Sequence, residues 1–310
     1  MPPESTALVA VPTAASDLAH CKALLAAGSK SFSAASWLLP SRMRDDAAAF
    51  YAFCRVADDA VDDSGDPARA VERLHVRLDR IFADQPEDDP VDRTLARLVA
   101  RHAMPKAPFS ALLEGFAWDA EARRYQTLSD VIAYAARVAS AVGVVMTYLM
   151  GVRDRDTLAR ACDLGAAMQL TNICRDVGED AGRGRVYVPE AWLEEEGLDV
   201  QAWLRAPRFE PAVGRAVERL LGEAGRLYDR AAPGVGALPS DCRPAIRAAG
   251  LIYADIGRVV RARGHDSVSG RARVGLPRKL WLLARAWWQP ADPEDGLHAA
   301  ALPEVEFLLP

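Results

Sequence analysis

Cysteine is sparse and unpatterned in this sequence. Cys21, Cys54, Cys162, Cys174 and Cys242 are odd in number and scattered, with no Cys-x-x-Cys pair. Nothing here is spaced to hold zinc or run dithiol chemistry, and a reducing, cytosolic setting fits best. Positive charge is not in excess either: 38 Lys and Arg stand against 43 Asp and Glu, a net of −5. A nucleic-acid partner drawn by overall charge is therefore not expected. From Met1 to His20 there is no Lys or Arg, while Glu4 and Asp17 are present. That is not the basic start of a secretory signal, and residues 1–14 read as a flexible tail. The longest uncharged run, Val138 to Val152, is shorter than the ~18 apolar residues a membrane-spanning helix needs. It carries Ser140, Gly143 and Thr147 and reads as a buried helix in a large core. Sustained alternation of β-branched residues, the mark of strands, is also missing.

Half the residues are apolar and 26% are charged, enough for a packed core and unlike a disordered chain. Apolar residues recur three and four apart, as in Val217, Leu220, Leu221 and Leu227, which is helical periodicity. The spacing predicts an all-α fold with helices over about 15–27, 41–63, 67–83, 91–103, 108–124, 128–150, 154–179, 209–231, 241–263 and 276–288. No long linker interrupts this series. One helical domain over 15–290 is expected, followed by a C-terminal tail at 291–310.

Two acidic stretches stand out. In the first, Tyr51 to Asp63, Asp58 and Asp62 lie four apart and so stack on one helical face, with Arg55 three residues earlier. In the second, Gln169 to Asp180, Asn172, Asp176 and Asp180 form a column of three oxygen-bearing side chains beside Arg175. Stacked like charges repel, and a counter-ion reverses the sign of that interaction. Carboxylate and amide oxygens on a rigid helix suit a hard divalent ion, and Mg²⁺ commonly joins one or two carboxylates to substrate phosphates. One acidic pair on a helix is usually only a solvated face. Here the acids sit among Phe50, Phe53, Val56 and Val61 in one helix and Met168, Leu170, Ile173 and Val177 in the other, and the arrangement occurs twice. After the second column, Gly182, Arg183, Gly184 and Arg185 form a basic turn able to fold over a phosphate. Gly28 to Ser33 mixes hydroxyls, a lysine and an aromatic, and alone would be a helix-capping loop.

With Tyr51 to Asp62 and Asn172 to Pro189 together, the sequence resembles the squalene and phytoene synthase family of head-to-head isoprenoid synthases, over about Ser29 to Leu282. The resemblance implies an isoprenoid synthase fold, a single helical domain around a deep apolar cavity with both acidic columns at its mouth. It implies that Asp58, Asp62, Asn172, Asp176 and Asp180 bind Mg²⁺, with Mn²⁺ as an alternative ion. It places Ser29, Ser31, Tyr51, Arg55, Gln169, Arg175, Arg185, Tyr187, Tyr253 and Arg271 around the substrate diphosphates. Asp58, Asp62, Asp176 and Tyr134 are the implied catalytic residues. The segment from Tyr134 to Gly143 is similar to a family helix but has Ala135 and Ser140 where Cys and Gly are usual. Arg137 in it favours the phytoene-forming branch. Ser140 and Gly143 would let a long hydrocarbon lie close to the helix backbone, and simple tight helix packing explains them equally.

The implied reaction joins two geranylgeranyl diphosphates through prephytoene diphosphate into phytoene, without NADPH. The alternatives are a squalene or dehydrosqualene synthase acting on farnesyl diphosphate, and a non-catalytic isoprenoid-binding or assembly protein of the same fold. Carotenoid-pathway enzymes are the expected protein partners. The stretch from Arg278 to Trp288 mixes bases with aromatics, which suits either core packing or a membrane-surface helix. A cytoplasmic protein in peripheral contact with the inner face of the membrane is expected.

Overall fold

The computed structural model describes residues 13–28, 39–288 and 295–310, and among them there are helices and no strands. The chain runs through α1 (Ala14–Gly28), α2 (Ser41–Asp62), α3 (Pro67–Phe82), α4 (Pro90–His102), α5 (Ala107–Ala120) and α6 (Leu128–Ala135). A π-helical turn (Ala136–Ser140) leads directly into α7 (Ala141–Leu149), and the long α8 (Arg155–Gly182) follows. Two short helices, α9 (Glu190–Glu195) and α10 (Val200–Arg205), precede α11 (Pro211–Ala237), α12 (Arg243–Ala262) and α13 (Leu276–Trp288). A 3-10 turn, Pro303–Leu308, closes the chain.

Local signals explain most starts. Asp66, Asp89 and Asp154 each accept backbone N–H groups at a helix N-terminus. Thr127 and Asp130 form a reciprocal capping box at α6. Every helix expected from periodicity is present. Two boundaries and one helix interior differ for identifiable reasons. Helix α5 stops at Ala120, not 124, because Ala122 turns left-handed at φ +48°, which no residue type announces. Helix α11 continues through Pro233 to Ala237, where Gly234 lies against the Arg160 stem. The expected single helix over 128–150 contains the π turn, in which backbone hydrogen bonds skip one residue further.

Two apolar clusters fill the interior. Phe50, Phe53 and Phe82 set their edges or faces against Phe109 in one. The other lies between α8 and α11 and takes in Leu170, Ile173, Val217 and Leu220. Leu302 packs against both. The stretch Leu128–Leu149 is long and apolar enough to cross a membrane by length and composition, yet 61% of its window is buried in the bundle.

Residues 295–310, in the segment read as a C-terminal tail, pack against the helical bundle. Val305 and Leu308 are buried in the first cluster. Arg160 donates to the Gly296 carbonyl at 3.0 Å, Arg230 to that of Ala300 at 2.8 Å and Arg155 to that of Pro310 at 2.7 Å. These arginines come from α8 and α11, so the attachment is invisible in local sequence.

Candidate active site

Helix α2 buries Phe50, Phe53, Ala57 and Val61. Asp58 and Asp62 each follow a buried position by one residue, so they line the edge of that stripe. Helix α8 buries Ile173, Val177 and Ala181, and Asn172, Asp176 and Asp180 each precede one of these. Both acidic columns therefore stand at the boundary between apolar core and solvent, on different helices.

Asp119, at the end of α5, connects them. Its carboxylate accepts hydrogen bonds from the hydroxyls of Tyr134 at 2.8 Å and Tyr187 at 2.6 Å. The two rings stack at 4.9 Å between centroids, and Tyr125 packs 5.3 Å from Tyr134 and 5.9 Å from Tyr187. Burial pushes the Asp119 carboxyl up, and the two tyrosine hydroxyls offset part of that. Its charge also reaches Asp58 of the first column and Asp180 of the second. Sequence inspection passed over Asp119 because it belongs to neither acidic run. One signal was available: Phe109, Leu112, Phe116 and Asp119 are spaced three, four and three, which puts an acid on an apolar helix face.

Burial, reinforced by Asp62, raises the Asp58 carboxyl. Asp180 is pushed up to about 7, first by burial and then by Asp176. Arginines surround the acids. Arg55 lies 2.6 Å from Asp59 and 3.9 Å from Asp58. Arg175 and Arg271 approach Asp176 at 2.5 and 2.8 Å. Arg185 is 3.8 Å from Asp62, a contact that joins the turn after α8 to the first column. Arg271, a distant position in sequence, is thus drawn into the second column, where it also meets Glu179 at 3.2 Å. Gln169 accepts from the Asn172 amide at 3.4 Å. Tyr51 lies beside Arg55 and the Asp58 and Asp59 charges, and Tyr253 beside Arg175. Arg183 is exposed. Ser29 and Ser31 fall outside the described residues.

A small pocket next to the second column is lined by Ile173, Val177, Asp180, Arg185, Tyr187, Trp203 and Val213. It pairs an apolar wall with an acid and a base.

The structure decides between the two readings of the small residues after Arg137. Ser140 and Gly143 do not clear space for a hydrocarbon. Ser140 is fully buried and donates to the Cys162 carbonyl at 2.7 Å. A Cβ on Gly143 would meet the Ala161 carbonyl oxygen at 2.8 Å. Both residues let the π turn and α7 approach α8 closely.

The donor set suits a divalent metal. The Asn172 Oδ1 is buried without a hydrogen-bond partner among the described residues, as a ligating amide oxygen would be. Among the described residues no three His, Cys, Asp or Glu converge closely enough to hold an ion alone. Beside phosphates, Mg²⁺ usually takes only one or two protein carboxylates.

Asp119→Asn is expected to destabilise the protein by about 1–3 kcal/mol, because an amide cannot accept from both tyrosines through equivalent oxygens. Turnover is expected to fall roughly tenfold to a hundredfold as the Tyr134 and Tyr187 rings lose their common anchor. Thermal melts and product formation measure the two effects. Wild-type values for both would mean that packing alone holds the rings.

Residues 25–279 match the family model described as squalene/phytoene synthase. The chain is 52% identical over 306 residues to a phytoene synthase of Rhodobacter capsulatus, covering 96% of this chain and 90% of that protein. It is 36% identical over 292 residues to the 15-cis-phytoene synthase of Pantoea ananas, covering 91% and 94%. Among solved structures, a dehydrosqualene synthase aligns with a TM-score of 0.80 at 31% identity, over 88% of this chain and 96% of that one. The squalene synthase HpnC of Alicyclobacillus acidocaldarius aligns at 0.77 and 28% identity, over 82% and 97%.

Proposed function

Because the chain belongs to the squalene/phytoene synthase family, we propose that it condenses two geranylgeranyl diphosphates head to head into phytoene in carotenoid biosynthesis. The family's prenyl diphosphate chemistry is generally dependent on a divalent metal, and here the proposed ion is Mg²⁺. The supporting observation is that the turn after the second acidic column reaches the first, with Arg185 3.8 Å from Asp62 and Tyr187 bonded to Asp119, in a chain 52% identical to a phytoene synthase. The solved relatives named for C30 products share the fold, which leaves chain length to the cavity walls.

In this reading Asp58 and Asp62 on one side, and Asn172, Asp176 and Asp180 on the other, would hold the metal beside the substrate diphosphates. Bound there, Mg²⁺ supplies Lewis-acid stabilisation of the departing diphosphate. Arg55, Arg175, Arg185 and Arg271 add donors for the same oxygens, with bidentate geometry suited to phosphate. Tyr51 and Gln169 border that anion. The first substrate loses diphosphate by heterolysis of its C1–O bond. The allylic cation adds to the C2–C3 double bond of the second, and proton loss closes the cyclopropane of prephytoene diphosphate. A second C–O heterolysis, ring opening and loss of another proton give the central double bond. No reductant enters that balance. The apolar wall keeps water from the cationic centres.

Incubating the purified protein with Mg²⁺ and either the C15 or the C20 diphosphate, with and without NADPH, tests this directly. Phytoene from the C20 substrate, indifferent to NADPH, is the expected product. Squalene or dehydrosqualene as the main hydrocarbon would replace the reading with the C30 one.

A further inference from the structure

Helix α13 is amphipathic in the wrong sense for a helix that ends a soluble bundle. It buries only Leu282 and Ala286. Leu276, Leu280, Trp281, Trp287 and Trp288 are 49–82% exposed. Of the seven large apolar side chains exposed among the described residues, five lie on this helix. At 3.6 residues per turn these five, with Ala284, occupy an outward arc of roughly 140°. This exposure removes core packing as the use of the tryptophans.

The charge around that arc has one sign. From Arg271 to Trp288 there are four arginines besides Lys279's ammonium, at 271, 273, 278 and 285, and no acid, in a chain whose net charge is −5. Arg278 and Arg285 fall on one flank of the apolar arc and Lys279 on the other. Arg278 is held by buried Asp255 at 2.9 Å, with its guanidinium 4.4 Å from the Trp281 ring centroid. Arg285 lies 5.7 Å from the same ring. Apolar and aromatic groups facing outward between two cationic flanks are the pattern of a helix lying in a membrane interface. A second copy of the chain would bring like charges against each other, which disfavours self-association through this face.

We infer that α13 docks the protein on the surface of an anionic phospholipid bilayer, with Trp287, Trp288, Leu280 and Leu276 entering the acyl boundary and Lys279 and Arg285 meeting lipid phosphates. The helix begins five residues after Arg271, which reaches Asp176. That tether spans at most roughly 18 Å, so docking sets the mouth of the candidate site beside the lipid. The inference rests on the surface alone and is independent of the product assigned above.

Vesicle flotation of the full chain tests it without turnover. Wild-type protein is expected to float with vesicles of phosphatidylglycerol and phosphatidylcholine, more weakly with phosphatidylcholine alone, and less as salt rises. Trp287→Ser/Trp288→Ser and Lys279→Glu/Arg285→Glu are each expected to weaken binding roughly tenfold or more. Thermal melts should stay unchanged, since these side chains are exposed or lie at the rim. Three results would overturn the inference: no flotation of wild type, equal binding to both vesicle types, or tryptophan variants that bind like wild type. A concentration-dependent dimer in sedimentation that the tryptophan substitutions abolish would also overturn it, by giving the face to a second copy.

Discussion

Asp58→Asn and Asp176→Asn are each expected to lower hydrocarbon formation by a factor on the order of 10³, the scale lost when preorganised charge stabilisation is removed from an active site. Their effects on stability should differ in sign. Asp58 is partly buried beside Asp62, and burial, with repulsion from Asp62 added, already pushes its carboxyl up. Removing that charge relieves the repulsion, so the melting temperature should hold or rise slightly. Asp176 instead joins Arg175 at 2.5 Å and Arg271 at 2.8 Å. Its loss leaves two guanidinium groups without their shared anion, and about 1–2 kcal/mol of stability should go with it. Product assays with saturating Mg²⁺, together with thermal melts, separate these outcomes. If neither variant lowers turnover, the metal assignment to these columns fails.

Gly165→Ala carries the largest expected effect on folding. A Cβ there would sit 2.7 Å from the Ala139 carbonyl oxygen and from the nitrogen and Cα of Ser140. All three are backbone atoms of the π turn region, and none can swing away as a side-chain tip would. The two helices must separate, at a cost of about 1–3 kcal/mol or more. Gly222→Ala on α11 is the matched control. Nothing lies within 4 Å of its added methyl, and alanine in a helix interior should add about 0.5–1 kcal/mol. Denaturant melts of both variants give the comparison. An unchanged melt for Gly165→Ala, accompanied by a change in product chain length, would return this helix contact to the role of a hydrocarbon wall.

The same contact shows where local pattern misleads. Ser140 and Gly143 look alike under two readings, clearance for a ligand and close approach of a neighbouring helix. Both need a small side chain. Only the position of α8, set by a π turn that periodicity does not register, separates them. Asp119 is a related case. Its role comes from hydroxyls on Tyr134 and Tyr187, 15 and 68 residues away. The acidic columns were legible because each is a spacing within a single helix, and Arg55 and Arg175 followed from the same arithmetic. Arg271 was reached through family resemblance, and its partner Asp176 lies 95 residues distant.

Composition, helical period and intrahelical spacing are local quantities, so the all-α architecture, the two metal-suited faces and the basic, aromatic character of 276–288 could be read from residue order. Burial is not local. Whether Trp287 and Trp288 face the core or the solvent, whether residues 295–310 hang free or are clasped by Arg155, Arg160 and Arg230, and which carboxylate joins the two acidic edges all depend on which helices pack together. Hydrophobic packing chooses those neighbours through contacts summed over the whole bundle. The residues that could form the chemistry are therefore visible one helix at a time, while the site they share exists only after the helices have met.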